Sequence, residues 1–253
     1  MQNPLRWGVG TVFAAAMLLA GATEPVHAQV GGDGFLFKTP SVSLGIRSGY
    51  SMPRAGSELF DFTREQLTVE TSDFYSEYVG GELAIRVTDR IDLTFGAGHA
   101  ASSTPSEFRD WVDTDDQPIE QTTRLSITPA TVGMKYYLQD RGRSVGRFTW
   151  IPNRVSPYVG GGLGVVWYTF QQRGDFVDFQ TLDIFRSTIT SDGIGTQVHG
   201  LAGVDVSLNT VLYLTGEARY DVGSAELNSG FFEDFDDMDL AGLRFVVGIS
   251  ARF

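Results

Sequence analysis

Read with period two, the stretch Leu240 to Phe253 separates into two rows. Ala241, Leu243, Phe245, Val247, Ile249, Ala251 and Phe253 are apolar, and Gly242, Arg244, Val246, Gly248, Ser250 and Arg252 are mostly small or charged. Such alternation is what a strand with lipid on one face requires, and about 9–11 residues suffice to cross the hydrocarbon. Seven further stretches alternate in the same way: Thr39–Met52, Phe74–Thr88, Ile91–His99, Thr122–Leu138, a strand beginning at Pro157, Gly195–Leu208, and one from Leu212 to Val222. Between them, short turns (Asp89–Arg90, Asn209–Thr210) take turns with long acidic segments (Arg54–Asp73, Thr104–Gln121, Gln171–Asp192, Gly223–Asp239). The pattern predicts an all-β, eight-stranded antiparallel up-and-down transmembrane β-barrel with its long loops on one rim. Ten strands result if Ser144–Ile151 or part of the third long segment joins the wall. In the fourth strand the apolar parity changes near Pro129, from Leu125 and Ile127 to Val132, Met134, Tyr136 and Leu138, which predicts a bulge at the proline.

Alternation alone does not separate a membrane barrel from a soluble ligand-binding one. The polar row decides it. It is rich in glycine, serine and threonine with isolated charges, which suits the narrow interior of eight strands and not a water-facing exterior. Tyr50, Trp167 and Phe253 fall near strand ends, where interfacial aromatics belong. Parity places Arg47, Arg86, Lys135, Arg219 and Arg244 inside with Glu82 and Glu217, and Asp92, Asp205 and Asp221 nearer the rims. Buried charges need partners, so the prediction is a salt-bridged plug; a proton or ion path is the alternative.

Beyond its first thirty residues the chain has no apolar run of about 18 residues, the length a membrane helix needs. Arg6, the apolar run Val9–Ala22 and the sequence Val26, His27, Ala28 predict a signal peptide over residues 1–28, cut after Ala28, with the barrel domain over 29–253; a cut after Ala22 is the alternative. The chain has no cysteine, which excludes disulfides and thiolate metal sites. Its net charge of −12 excludes a nucleic-acid-binding face. The one basic connection is Gln139–Ser156, which carries Arg141, Arg143, Arg147 and Arg154.

Pro157, Tyr158, Val159, Gly160, Gly161, Gly162, Leu163, Gly164 resembles the glycine-rich strand of the small outer-membrane β-barrel family that includes the OmpA transmembrane domain, OmpX-like proteins and opacity-type porin-like proteins. Gly133 to Leu138 is similar to the strand before it. Gly248, Ala251 and Phe253 resemble the family's carboxyl-terminal assembly signal, although Val246 and Ala251 depart from its usual residues. The resemblance implies residence in the outer membrane of a Gram-negative cell among lipid and lipopolysaccharide, and insertion by the barrel-assembly machinery. It does not fix function, because the family's activities range from anchoring to adhesion and solute passage.

No enzyme chemistry is expected. A serine hydrolase needs histidine beside serine with a carboxylate behind it. His99 has lipid-facing parity, with Ser102 and Ser103 beyond it, and inward His199 is flanked by glycine and leucine. A lipid-modifying or omptin-like surface enzyme therefore ranks third. Asp113, Asp115 and Asp116 lack the glycine and glutamate of a calcium loop, yet acidic loops on one rim attract divalent cations or a surface ligand. Phe60, Phe62, Trp111, Phe176, Phe179, Phe231, Phe232 and Phe235 either anchor a partner or pack on one another. The leading expectation is a structural or adhesion role through the four acidic loops, with no cofactor. OmpW-like or porin-like passage of small solutes is second, and a wide glycine-lined gap near Gly160–Gly164 would mark it.

Overall fold

The computed structural model describes residues 36, 38–113, 115–145, 149–178, 181, 183–228 and 235–253. The expected signal peptide lies outside them, as do Arg147, Phe179, Phe231 and Phe232. The described chain forms β1 (Val42–Pro53), α1 (Glu58–Gln66), β2 (Ser76–Arg86), β3 (Ile91–Val112), β4 (Pro118–Tyr137), β5 (Gly142–Ser144), β6 (Trp150–Pro152), β7 (Val155–Val177), β8 (Ile184–Ser207), β9 (Leu212–Ala225), β10 (Met238–Asp239) and β11 (Gly242–Arg252). Strands β1, β2, β3, β4, β7, β8, β9 and β11 pair antiparallel in that order, and β11 returns to β1, so the sheet closes as an eight-stranded barrel. Closure removes every edge over that part of the wall. The ten-stranded alternative fails on both counts. Gly142–Ser144 and Trp150–Pro152 pair with each other as the β5–β6 hairpin and with no strand of the ring, and the third long segment lengthens β7 and β8 without adding strands.

The outside of the ring is apolar. Ile46 is 69% exposed, Val247 68% and Leu163 65%, and Leu44, Val79, Met134, Val198 and Phe245 continue the band around the barrel. A continuous apolar band of this size is not tolerated in water, and it gives the wall its lipid-facing surface.

Above this band the barrel changes character. β1, β2, β9 and β11 have 12, 11, 14 and 11 residues, whereas β3, β4, β7 and β8 have 22, 20, 23 and 24. The second and third long segments are therefore mostly paired strand and not loop: Glu107 pairs with Glu120, and Val177 with Ile184. They escaped the period-two reading because their outward residues are polar, so the apolar contrast on which that reading depends is gone. The four long strands make half a wall, and the segments after β1 and after β9 cover its concave side. Leu59 and Phe60 of α1, with Leu67, Val69 and Phe74, pack on Leu125, Val166, Phe170, Met238 and Leu240. The spacing Leu59, Thr63, Leu67 is helical. Acidic Glu58 and Asp61 begin the helix and Arg64 ends it, in favour of its dipole.

This apolar cap explains Pro129. No bulge is present: Ala97 pairs with Ala130 and Ala100 with Ile127 at one constant register, and Pro129 pairs with Val166. Odd residues of β4 face inward throughout. Below the proline the interior is polar and lipid lies outside. Above it the interior is apolar, so Leu125 is buried at 3% exposure while Val132 and Met134 remain exposed. The parity change in the sequence marks where the wall leaves the membrane.

Candidate functional site: the barrel interior

A charge network crosses the membrane-level interior. Glu82 Oε1 accepts hydrogen bonds from Arg47 Nη2 at 2.8 Å and Lys135 Nζ at 2.6 Å. Lys135 Nζ also lies 3.1 Å from Glu217 Oε2, and Glu217 Oε1 lies 3.2 Å from Arg219 Nη2. Tyr158 donates to Glu217 Oε2 at 2.8 Å, and its ring lies under the Lys135 ammonium. Arg47 Nη1 donates to Ser250 Oγ at 3.0 Å. Arg244 belongs to a second pair, 3.1 Å from Asp221, with its guanidinium over the Tyr78 ring. Six of the seven predicted interior charges thus sit in the plug. Arg86 does not: it pairs with Asp89 at the short-turn rim, where its long side chain reaches past the end of β2.

Period two puts Tyr78 and Tyr158 on the inward rows but does not bring them into the network, although the room for them was visible as glycines. A Cβ at Gly98 would lie 2.2 Å from the Tyr78 hydroxyl oxygen, and one at Gly203 would lie 2.5 Å from that of Tyr158. The glycines of the inward rows make room for large polar side chains packed across them. The Gly160–Gly164 stretch is no gap, since added Cβ atoms at Gly160 and Gly162 would meet Leu201 and His199 at 2.9 Å. Two cavities, of about 30 and 20 Å³, lie within the barrel: one near the short-turn rim between Asp92, Tyr137 and Arg252, the other beside Arg47, Glu82 and Arg219. Volumes of that size hold a water or two and no solute.

The short-turn end is closed by the basic connection. Arg141 reaches inward to Asp92 at 2.6 Å and lies over Tyr137, which donates to Asp205 at 2.8 Å. Trp150, buried on the β5–β6 hairpin, exchanges backbone hydrogen bonds with Leu36 and faces Arg252. No period-two argument reveals such a hairpin, because it is three residues to a strand. At the opposite end the apolar cap seals the mouth. Among the described residues, three kinds of contact cross the interior at three levels.

The terminal residues zip the barrel shut. Gly248 faces Arg47, Ala251 faces Leu44, and the Phe253 backbone exchanges hydrogen bonds with Val42. A Cβ at Gly248 would meet Arg47 Cδ at 2.7 Å, so this glycine is a packing requirement of the network. His99 Nδ1 lies 2.9 Å from Thr128 Oγ1 on the outer surface, while Ser102 is buried on the inner one. The Asp113 carboxylate accepts the backbone N–H groups of Asp115 and Gln117, which makes a turn of its own backbone. Of the loop aromatics, Phe60 is fully buried, Phe62 packs edge-on against Phe235, and Phe176 stacks on Phe185. Trp111 is 36% exposed.

No protein-family model matches this sequence, and no curated protein matches it. Solved structures do. Neisserial surface protein A is similar at 12% identity and TM-score 0.49, over 88% of this chain and 99% of that one. OprG of Pseudomonas aeruginosa is similar at 16% identity and TM-score 0.48, over 86% and 99%. Outer Membrane Protein W of E. coli is similar at 18% identity and TM-score 0.40, over 85% and 100%. These three solved structures are small outer-membrane β-barrels, to which this chain is similar in fold.

Proposed function

We propose that this chain is a surface-exposed outer-membrane barrel whose function lies in its extended outer hairpins, as a structural or interaction protein with a closed lumen. The observation that carries this reading is the triple closure: the Trp150 hairpin below, the Glu82–Lys135–Glu217 chain in the middle, and the Phe60 cap above. An eight-stranded wall has little interior to spare, and here its side chains occupy it. The outer hairpins β3–β4 and β7–β8 extend well past the apolar band and carry most of the exposed polar surface, which is where a partner would meet the molecule. Neither Phe60, Phe62 nor Phe176 is free to anchor that partner. Among the described residues, Val112 on the β3–β4 hairpin and Ile184 on the β7–β8 hairpin are exposed apolar groups at that surface.

The test is solute permeation in a liposome-swelling assay, with small sugars and with short apolar alcohols, on residues 29–253 refolded into vesicles. Rates equal to protein-free vesicles are expected. Permeation that rises in proportion to protein would overturn the reading and make OmpW-like passage the leading one. The terminal residues Gly248, Ala251 and Phe253 are proposed to serve insertion by the barrel-assembly machinery.

A further inference from the structure

The smaller interior cavity, in the middle layer of the barrel, has more positive than negative charge around it. Arg47, Arg219 and Arg244 line it, against Glu82 and Glu217. Both carboxylates are engaged. Glu82 accepts from Arg47 and Lys135, and Glu217 accepts from Tyr158 with Lys135 and Arg219 beside it. The arginines have capacity left. Arg47 and Arg244 are 5% and 6% exposed, and the Nε of each has no hydrogen-bond partner among the described residues. A buried N–H on a charged group without an acceptor is costly.

The charges of the whole layer carry the same imbalance. Among the described residues, Arg47, Lys135, Arg219 and Arg244 supply four positive charges, and Glu82, Glu217 and Asp221 supply three negative ones, which leaves one positive charge over. His199, which also faces inward here, can only add to the excess. Asp92 and Asp205 line the other cavity, where Arg141 and Arg252 match them. Loss of a proton does not restore the balance, because a guanidinium stays charged and Lys135 lies between two carboxylates. An uncompensated charge in a buried network calls for a counter-ion.

Space and chemistry select that ion. A cavity of about 20 Å³ takes one water or one monatomic ion of similar size, and has no room for sulfate, phosphate or a carboxylate. The unpartnered groups are N–H donors on cations, so they take an anion. Val246, buried in the inward row between Arg244 and Gly248, brings methyl groups to this cavity, where a carboxylate would have closed the count.

We infer that one chloride ion binds inside the barrel, held by Arg47 and Arg244 with Arg219 alongside, as the counter-ion of the charge network. It is taken up as the barrel folds, with the Trp150 hairpin below it and the Phe60 cap above, and is a structural part of the interior. The inference does not depend on what the outer hairpins bind.

The experiment is urea unfolding of residues 29–253 from lipid vesicles at about 20 and about 200 mM chloride, with gluconate, too large for the cavity, holding the ionic strength constant. An ion that binds the folded state alone raises the folding equilibrium constant by up to about tenfold for that change, and wild type is expected to gain about five- to tenfold. Arg219→Gln leaves Glu217 with Lys135 and Tyr158 and brings the layer to three charges of each sign, so its gain should not exceed about twofold. Arg219→Lys keeps the charge and should respond as wild type does. Val246→Asp supplies the missing carboxylate and should lose the response like Arg219→Gln; it decides the matter should Arg219→Gln not fold by heat-modifiable migration. A wild-type gain below about twofold would overturn the site. So would an equal gain in wild type, Arg219→Gln and Val246→Asp, which is the mark of a general salt effect. Loss of the response in Arg219→Lys would show that packing, and not charge balance, governs the cavity, and would overturn the counter-ion.

Discussion

Lys135 is the centre of the interior. At 2% exposure it bridges Glu82 at 2.6 Å and Glu217 at 3.1 Å, and its ammonium sits 4.6 Å from the Tyr158 ring centroid. Replacing it by methionine keeps most of the volume and removes the charge. Glu82 then retains Arg47 and Glu217 retains Arg219 and Tyr158, but the two carboxylates face each other with no cation between them. Breaking a buried pair from one side costs about 3–5 kcal/mol, because the remaining charge is left without compensation. Two remaining partners soften the loss toward the lower figure, so Lys135→Met should destabilise the barrel by about 3 kcal/mol. The assay is urea unfolding from lipid vesicles, followed by tryptophan fluorescence and by heat-modifiable migration. Adding Glu82→Gln and Glu217→Gln to that variant leaves Arg47 and Arg219 without their carboxylates and should recover none of the loss. A change below about 1 kcal/mol in Lys135→Met, the range of a solvated pair, would refute the reading of this network as a desolvated plug.

Three further outcomes follow from other levels of the barrel. Val247→Arg, in the middle of the exposed band, should cost about 2–4 kcal/mol in the same assay, and Thr169→Arg, above the band, no more than about 1 kcal/mol; equal costs would show that the band is not where the lipid lies. Gly98→Val should destabilise by about 1–3 kcal/mol because its side chain meets the Tyr78 hydroxyl, and Tyr78→Ala in the same chain should relieve part of it; additive effects in that double variant would contradict the packing. Phe60→Ala should cost about 3–5 kcal/mol and speed proteolysis between Arg54 and Tyr75 without raising solute permeation, since the charge network below remains intact.

How much of this was legible depended on apolar contrast. Where lipid lies outside and polar groups lie inside, as from Val132 to Tyr136 or from Leu243 to Phe253, period two gave both the strand and the face, and it put Arg47, Glu82, Arg86, Lys135, Glu217, Arg219 and Arg244 on the inward rows. Above Pro129 water lies outside and the apolar cap lies inside, so the same rule reads the strand with inverted parity and calls the remainder loop. Helix α1 was hidden by its own charges, since Asp61, Arg64 and Glu65 mask the Leu59, Thr63, Leu67 repeat. Arg86 has the inward parity of the network but sits one turn too low to reach it. The Arg141–Asp92 and Trp150–Leu36 contacts depend on a hairpin folding back into the barrel end, which no local pattern encodes.

The central claim is that side chains fill the lumen and leave no continuous path through it. Single-channel recording in a planar bilayer tests it most directly, on residues 29–253 and on Glu217→Ala and Arg219→Ala. The account predicts no discrete openings in wild type and none in either variant, because the Trp150 hairpin and the Phe60 cap close the barrel independently of the middle layer. Stable openings in wild type whose amplitude changes with those substitutions would contradict it and show a path through the charge network.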